Sequence, residues 1–201
     1  MPKVGRKEEI LAHARKLFSV KGYHGTTIRD ISERSGILSG SLYAHIRSKE
    51  DLLFDITNRG ADAFLEALTP IVEGEDSAID KLRKALIAHI RVVANHLDAA
   101  TVFFHEWKAL SNDRRAIIQS KRDTYESMWN RLLEEGVQQG ELSCRDLKFT
   151  RLLILSAGNW LYQWYRPDGG LSPEEIAERF MEVILHGIAA QGGGIEDDRA
   201  R

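Results

Sequence analysis

Cysteine is nearly missing from this 201-residue chain: Cys144 stands alone, so no disulfide can form within it. The single thiol fits a reducing compartment, and a cytoplasmic location is expected. No apolar run approaches the roughly 20 residues needed to span a bilayer. The start of the chain turns charged before any apolar stretch, so no signal peptide and no membrane partner are expected. Strict apolar–polar alternation is also absent, which argues against strands. No glycine-rich phosphate loop appears. His89, His96 and His105 fall on no pair of adjacent helical turns of the His-Glu-x-x-His kind, and the His105-Glu106 step lacks its second histidine. Cys144 follows Gly140-Glu141-Leu142-Ser143 with no base partner nearby in sequence. These gaps leave no expected metal site, cofactor or catalytic set; the three histidines are expected at the surface or lining a pocket, and an enzyme is not expected.

Acidic and basic residues nearly cancel, to a net charge of −2, but they are unevenly spread. Residues 1–50 hold ten Lys/Arg against five Asp/Glu, a balance of +5, and the remainder carries −7. A basic head on an acidic body suits a head that meets a polyanion. Chance clustering on a solvated surface would give the same numbers, so a motif must decide.

Helical spacing recurs almost throughout, and an all-α fold of nine helices is expected. Ile10, Leu11, Ala14, Leu17 and Phe18 make the first stripe, ended by Lys21-Gly22. A short second helix starts at Thr26 or Thr27, and a third runs from Ser39 to Ile46. Ser48 caps a long fourth helix that Pro70 should kink or end. The fifth carries Leu82, Leu86, Ile90 and Val93. The sixth, over Leu97 to Leu110, is rich in aromatics. The seventh runs from about Ser111 to Gln139, and the eighth from Asp146 to Tyr165. Ser172-Pro173-Glu174-Glu175 reads as cap, N1 proline and acidic first turn of the ninth. Three regions are expected: a head over 1–50, a body over 51–190 and a disordered tail over 191–201.

Two short helices around a tight Ser-Gly turn can form a helix-turn-helix, whose second helix enters the major groove. Ser39, Gly40 and Ser41 start that second helix with side chains short enough to approach base edges. Tyr43 and His45 project polar tips along it, and Lys49 offers a cation beyond it. Backbone amides at the start of the Thr26/Thr27 helix can hold a phosphate. A plain three-helix packing unit with Tyr43 as anchor has the same spacing.

The segments Thr-Thr-Ile-Arg-Asp-Ile-Ser, Gly-Ile-Leu-Ser-Gly-Ser-Leu-Tyr and Ala-His-Ile-Arg-Ser-Lys-Glu-Asp-Leu resemble the TetR family of one-component bacterial repressors. The resemblance implies that Thr27, Tyr43 and Lys49 hold phosphates, and that Ser39, Gly40 and Ser41 lie nearest the bases with His45 beside them; Thr26 is included in the DNA-facing set. Two departures stand out. Ile46 replaces the usual aromatic, and Leu38 replaces the common cap serine, so Ser39 is expected to cap.

The body of such a protein must pair with a second copy and sense a ligand. Residues 152–160 are apolar around most of their circumference, as in a helix buried on two sides. Leu152, Leu155 and Gly158 with Phe180, Val183 and Ile184 are the expected homodimer face; a monomeric core helix is the alternative. Phe103, Trp107, Tyr125, Trp129 and Trp164, joined by the polar Arg122, Asn159, Gln163 and Arg166, are the expected pocket lining. Aromatics that simply fill a core would look the same. The segments Gly-Ile-Leu-Ser-Gly-Ser-Leu-Tyr and Trp-Tyr-Arg-Pro-Asp-Gly-Gly-Leu-Ser are similar to a TetR subgroup that controls lipid and sterol degradation and answers to acyl-CoA thioesters. Arg83, Lys84, Arg91, Lys121 and Arg122 are candidates for a basic mouth.

The expected function is therefore a ligand-responsive repressor that binds a palindromic double-stranded operator as a dimer and is released by a hydrophobic effector such as an acyl-CoA. A repressor of efflux or detoxification is the alternative, and a small-molecule binding protein without DNA function is a third reading.

Overall fold

The computed structural model describes residues 5–188, and the expected disordered tail over 191–201 lies outside them. The described residues are helical throughout, without strands. The elements are α1 (Arg6–Lys21), α2 (Ile28–Arg34), α3 (Ser39–Leu42), α4 (Lys49–Val72), α5 (Ala78–Asn95), α6 (Leu97–His105), a 3-10 turn (Trp107–Ala109), α7 (Asn112–Gln138), α8 (Leu147–Asn159), α9 (Leu161–Trp164) and α10 (Pro173–His186). The nine expected helices are all there, but the eighth is broken at Trp160 into α8 and α9.

Local chemistry sets most of the starts. Thr27 and Asp30 form a reciprocal capping box on α2, and Ser172 and Glu175 form another on α10, where Pro173 occupies the first turn. Ser48, Ser77 and Asp146 each accept an amide hydrogen bond at the start of α4, α5 and α8. Pro70 does not stop α4 at once; the helix ends two residues later, at Val72. The sixth helix is shorter than expected, and its last stretch is the separate 3-10 turn.

The third helix is also shorter. Regular α-helix stops at Leu42, and the amides of Ala44 and His45 reach back only three residues, to Ser41 and Leu42. Ser39 does not cap it. Leu38 occupies the cap position without a side-chain bond, and the Ser39 hydroxyl pairs with that of Ser32 at 2.8 Å.

One core runs through the molecule. Ile10, Ala14, Phe18, Ile31 and Leu42 fill the three-helix head, and Ile46 is buried there in place of a larger ring. α4 is the spine: its Leu52, Leu53 and Ile56 belong to the head's end of the core, and its Phe64 and Leu68 to the body's. It packs against α1, α5, α6 and α7. Polar ties also cross from head to body. Lys7 pairs with Asp55 at 2.9 Å, Arg59 grips Glu8 through two 2.8 Å bonds, and the Tyr23 amide donates to Glu106 at 3.0 Å. A shift of α4 is thus transmitted to the head by packing and by charge.

Candidate DNA-reading head and ligand cavity

The head presents one polar face. Gly40, Ser41, Tyr43 and His45 are exposed on it, and Tyr43 is 56% exposed despite its ring. A Cβ added at Gly40 would meet nothing within 4 Å, so the start of α3 is open to an approaching surface. Thr27 is exposed, and its hydroxyl donates to Asp30 Oδ2 at 2.5 Å while accepting from the Asp30 amide. Lys21 also reaches Asp30, at 2.8 Å, and these bonds hold the Asp30 carboxyl well below the usual carboxylate range.

Two residues of the expected DNA face have other surroundings. Thr26 is fully buried, because its hydroxyl donates back to the Gly22 carbonyl at 2.8 Å and closes the turn after α1. Its side chain therefore cannot reach DNA. Lys49 is half-buried. Its ammonium donates to the carbonyls of Tyr23 and Thr26 at 2.8 Å each and sits 4.2 Å from the centre of the Tyr23 ring. Burial lowers its pKa. Two of the three ammonium protons are thereby spent inside the protein, leaving one to point outward.

In the body, Phe103, Arg122, Tyr125 and Asn159 come together around a cavity of about 40 Å³. Ala61, Phe64, His89, Phe104 and Leu155 add to its walls, and Lys121 and Glu126 line it as well. Phe64 is the hub, with ring centres 5.1 Å from His89, 5.4 Å from Tyr125 and 5.5 Å from Phe103. Trp107 touches the site indirectly, by stacking its ring 5.1 Å from the Arg122 guanidinium. Trp129 is fully buried behind Tyr125 and His89, away from the cavity wall. Gln163, Trp164 and Arg166, expected at the pocket, do not line it: the break at Trp160 turns the chain outward, and all three are exposed.

His89, expected with His96 and His105 at the surface or lining a pocket, lines the cavity. Its signal was present: it falls three residues after Leu86 and four before Val93, on the apolar face of α5. It is buried, and its Nδ1 shares a 2.8 Å hydrogen bond with the Tyr125 hydroxyl. Nε2 makes no hydrogen bond. Burial pushes the imidazole down to about 4, against a weaker opposing pull from Asn159. Burial likewise raises the Tyr125 phenol. The pair is a neutral, polar spot in an aromatic wall.

The candidate mouth cations separate cleanly. Arg83 pairs with Glu178, Lys84 with Asp76, Arg91 with Glu174 and Lys121 with Asp62. Arg122 has no ion pair among the described residues. Its guanidinium lies 5.2 Å from the Phe103 ring as well as against Trp107, and its Nη1 is buried without a hydrogen-bond partner. Desolvation lowers its pKa. The nearby Glu126 does not neutralise it directly, because that carboxylate is bonded to Arg151 at 3.2 Å. Of the two cations that line the cavity, Lys121 is paired and Arg122 makes no ion pair among the described residues, although the carboxylates of Glu126 and Asp123 oppose the lowering of its pKa.

Leu155 and Gly158 face inward rather than toward a second copy. Leu155 lines the cavity, and a Cβ added at Gly158 would lie 2.5 Å from His89 Cδ2. Gly158→Ala should therefore destabilise the protein by about 1–3 kcal/mol by forcing the imidazole aside. Urea unfolding checks this, and a variant as stable as the parent would mean the ring moves freely. The outward face of α8 carries Phe149, Leu152 and Leu153, with Trp160 just beyond its end, all exposed, and α10 adds exposed Val183 beside half-buried Phe180 and Ile184. No described helix is long and apolar enough to cross a membrane, and no cluster of metal-binding side chains occurs among the described residues.

A helix-turn-helix head joined through one spine helix to a helical body with an internal cavity defines a one-component DNA-binding regulator. Residues 10–56 match the model for bacterial regulatory proteins of the tetR family, and residues 75–188 match that for the tetracyclin repressor-like C-terminal domain. The chain belongs to the TetR family. It is 30% identical to the HTH-type transcriptional repressor KstR2 of Rhodococcus jostii, over 94% of this chain and 93% of that one. The structure of the ketosteroid transcriptional regulator KstR2 of Mycobacterium tuberculosis aligns with a TM-score of 0.86 at 26% identity, covering 92% and 96% of the two chains. AibR in complex with isovaleryl coenzyme A and operator DNA aligns with a TM-score of 0.80 at 28% identity, covering 90% and 98%.

Proposed function

We propose that this protein is a dimeric transcriptional repressor, with residues 1–50 as the operator-reading head and 51–190 as the effector-binding and pairing body. Its effector is an acyl-CoA thioester of lipid or sterol catabolism. The observation that carries the effector class is Arg122: an unpaired, partly desolvated cation beside an aromatic cavity suits a ligand with an apolar body and an electron-rich carbonyl or anionic group. A lipophilic cation, as an efflux regulator would meet, is repelled there. KstR2 as a repressor and AibR with isovaleryl coenzyme A support the same class.

The exposed apolar residues of α8, with Val183 of α10, form the pairing face, and pairing supplies the two reading helices that a palindrome requires. The cavity of about 40 Å³ is far below the roughly 300–1,000 Å³ of small-molecule sites. An acyl chain therefore enters only by moving α4, α5, α7 or α8 apart. Because α4 begins next to the reading helix, that movement alters the spacing of the two heads. The ligand shifts the equilibrium by its differential affinity for the opened state.

Fluorescence anisotropy with the chain's own upstream intergenic DNA, at two salt concentrations, tests the reading. Specific binding that weakens with salt is expected, followed by release on adding one of a panel of acyl-CoA thioesters. Arg122→Met should bind the DNA as the parent does but need about tenfold more thioester for release. No preference over random DNA removes the repressor, and specific binding that no thioester changes removes the effector assignment alone.

A further inference from the structure

A second and larger cavity, of about 430 Å³, lies where α1 of the head meets α4, α5 and α6 of the body. It is separated from the core cavity by a shared wall, the Phe64–Phe103 pair. Phe103 packs closely on the backbone of α4 at Gly60, where an added Cβ would come within 3.3 Å of the ring. Unlike the core cavity, this one already falls within the size range of small-molecule sites. Its floor is apolar, with Ile56 and Ala63 beside Phe103.

Its rim is charged. Arg15, Arg59 and His96 stand on it with a single acid, Glu8. Arg15 makes no ion pair among the described residues, and Arg59 is held by Glu8 through two exposed 2.8 Å bonds. Such an exposed pair is weak, so an incoming carboxylate can displace Glu8 from the guanidinium. Glu8 belongs to the head and Arg59 to α4, so the exchange removes one tie between them.

We propose that this junction is a second effector site, for an amphipathic anion with a short apolar tail, such as a medium-chain carboxylate. The tail lies on Ile56, Ala63 and Phe103, and the carboxylate replaces Glu8 on Arg59 with Arg15 nearby. The site is distinct from the core cavity and does not depend on the effector assigned to it.

Calorimetry on the full chain tests it, with octanoate as probe and octan-1-ol as its uncharged counterpart. Octanoate is expected to bind. Arg59→Gln should weaken octanoate about tenfold and leave the alcohol within about twofold, since it removes a charge-assisted bond only. Glu8→Gln should tighten octanoate about threefold by freeing Arg59. Ala63→Leu fills the junction and should weaken both probes about tenfold, whereas Ala61→Leu fills the core cavity and should weaken neither. Arg59 is exposed and Ala63 only half-buried, so these variants keep the fold, which thermal melting verifies. No octanoate binding, octanoate binding by Arg59→Gln equal to the parent's, no gain in Glu8→Gln, or a block by Ala61→Leu in place of Ala63→Leu would each overturn the proposal.

Discussion

Between about pH 6.5 and pH 4 the protein should lose about 3 kcal/mol of folding stability through His89 alone. The imidazole is buried against Phe64, Trp129 and Gly158, and its folded pKa is pushed from 6.5 down to about 4. The sign follows from which state takes the proton. Below pH 6.5 the unfolded chain binds a proton at this position and the folded chain does not, so acid favours unfolding. Stability is greatest above 6.5 and falls as pH drops toward the folded value. Denaturant unfolding of the parent and of His89→Asn at several pH values separates this effect from carboxylate titration. The slope should be shallower in the variant, whatever its absolute stability. Parallel profiles would mean that the imidazole finds a proton-compatible environment in the fold.

Lys49→Met should cost about 3 kcal/mol of stability, because it strips the partners from two carbonyls. Those of Tyr23 and Thr26 each accept a 2.8 Å bond from the ammonium, and bonds to a charged donor contribute about 1.5–3 kcal/mol apiece. Methionine keeps the length of the stem, so the loss reports the charge and not the packing. Urea unfolding measures it directly. The outcome that sinks the structural role is a variant as stable as the parent whose DNA affinity has a salt slope smaller by about 0.9, the signature of one lost phosphate contact. Both effects together would mean that the third ammonium proton reaches DNA while the other two brace the head.

Lys49 illustrates what sequence spacing conveyed and what it did not. Helix positions were legible because stripes and caps are local: Thr27, Ser48 and Ser172 all lie where their hydroxyls close a first turn. Whether a polar side chain points out or folds back is decided by carbonyls left unpaired elsewhere, as at Lys49 with Tyr23 and Thr26. The break at Trp160 was hidden for a related reason. Trp160, Tyr162 and Trp164 continue an apolar run, but tertiary packing buries Leu161 and turns Gln163 and Trp164 to the outside. In the body, aromatic content pointed toward a cavity. Its composition depended also on α4 and α5, which bring Phe64 and His89 to the cavity from faces that build the core. The charges were least legible of all. Arg83, Lys84, Arg91, Lys121 and Arg122 look alike along the chain, and only the position of their acids sets Arg122 apart.

For the proposed effector, the small volume of the core cavity has a consequence in time. A volume of about 40 Å³ has room for a few water molecules at most, so an acyl chain finds too little space on arrival. Its capture has to wait for the helices around Phe64 to part, and such motions run on microsecond to millisecond scales. Association then proceeds well below the diffusion limit and levels off as ligand concentration rises. On that mechanism the speed of the response is set by how often the protein opens, and the residues that govern that frequency line the wall without having to touch the ligand.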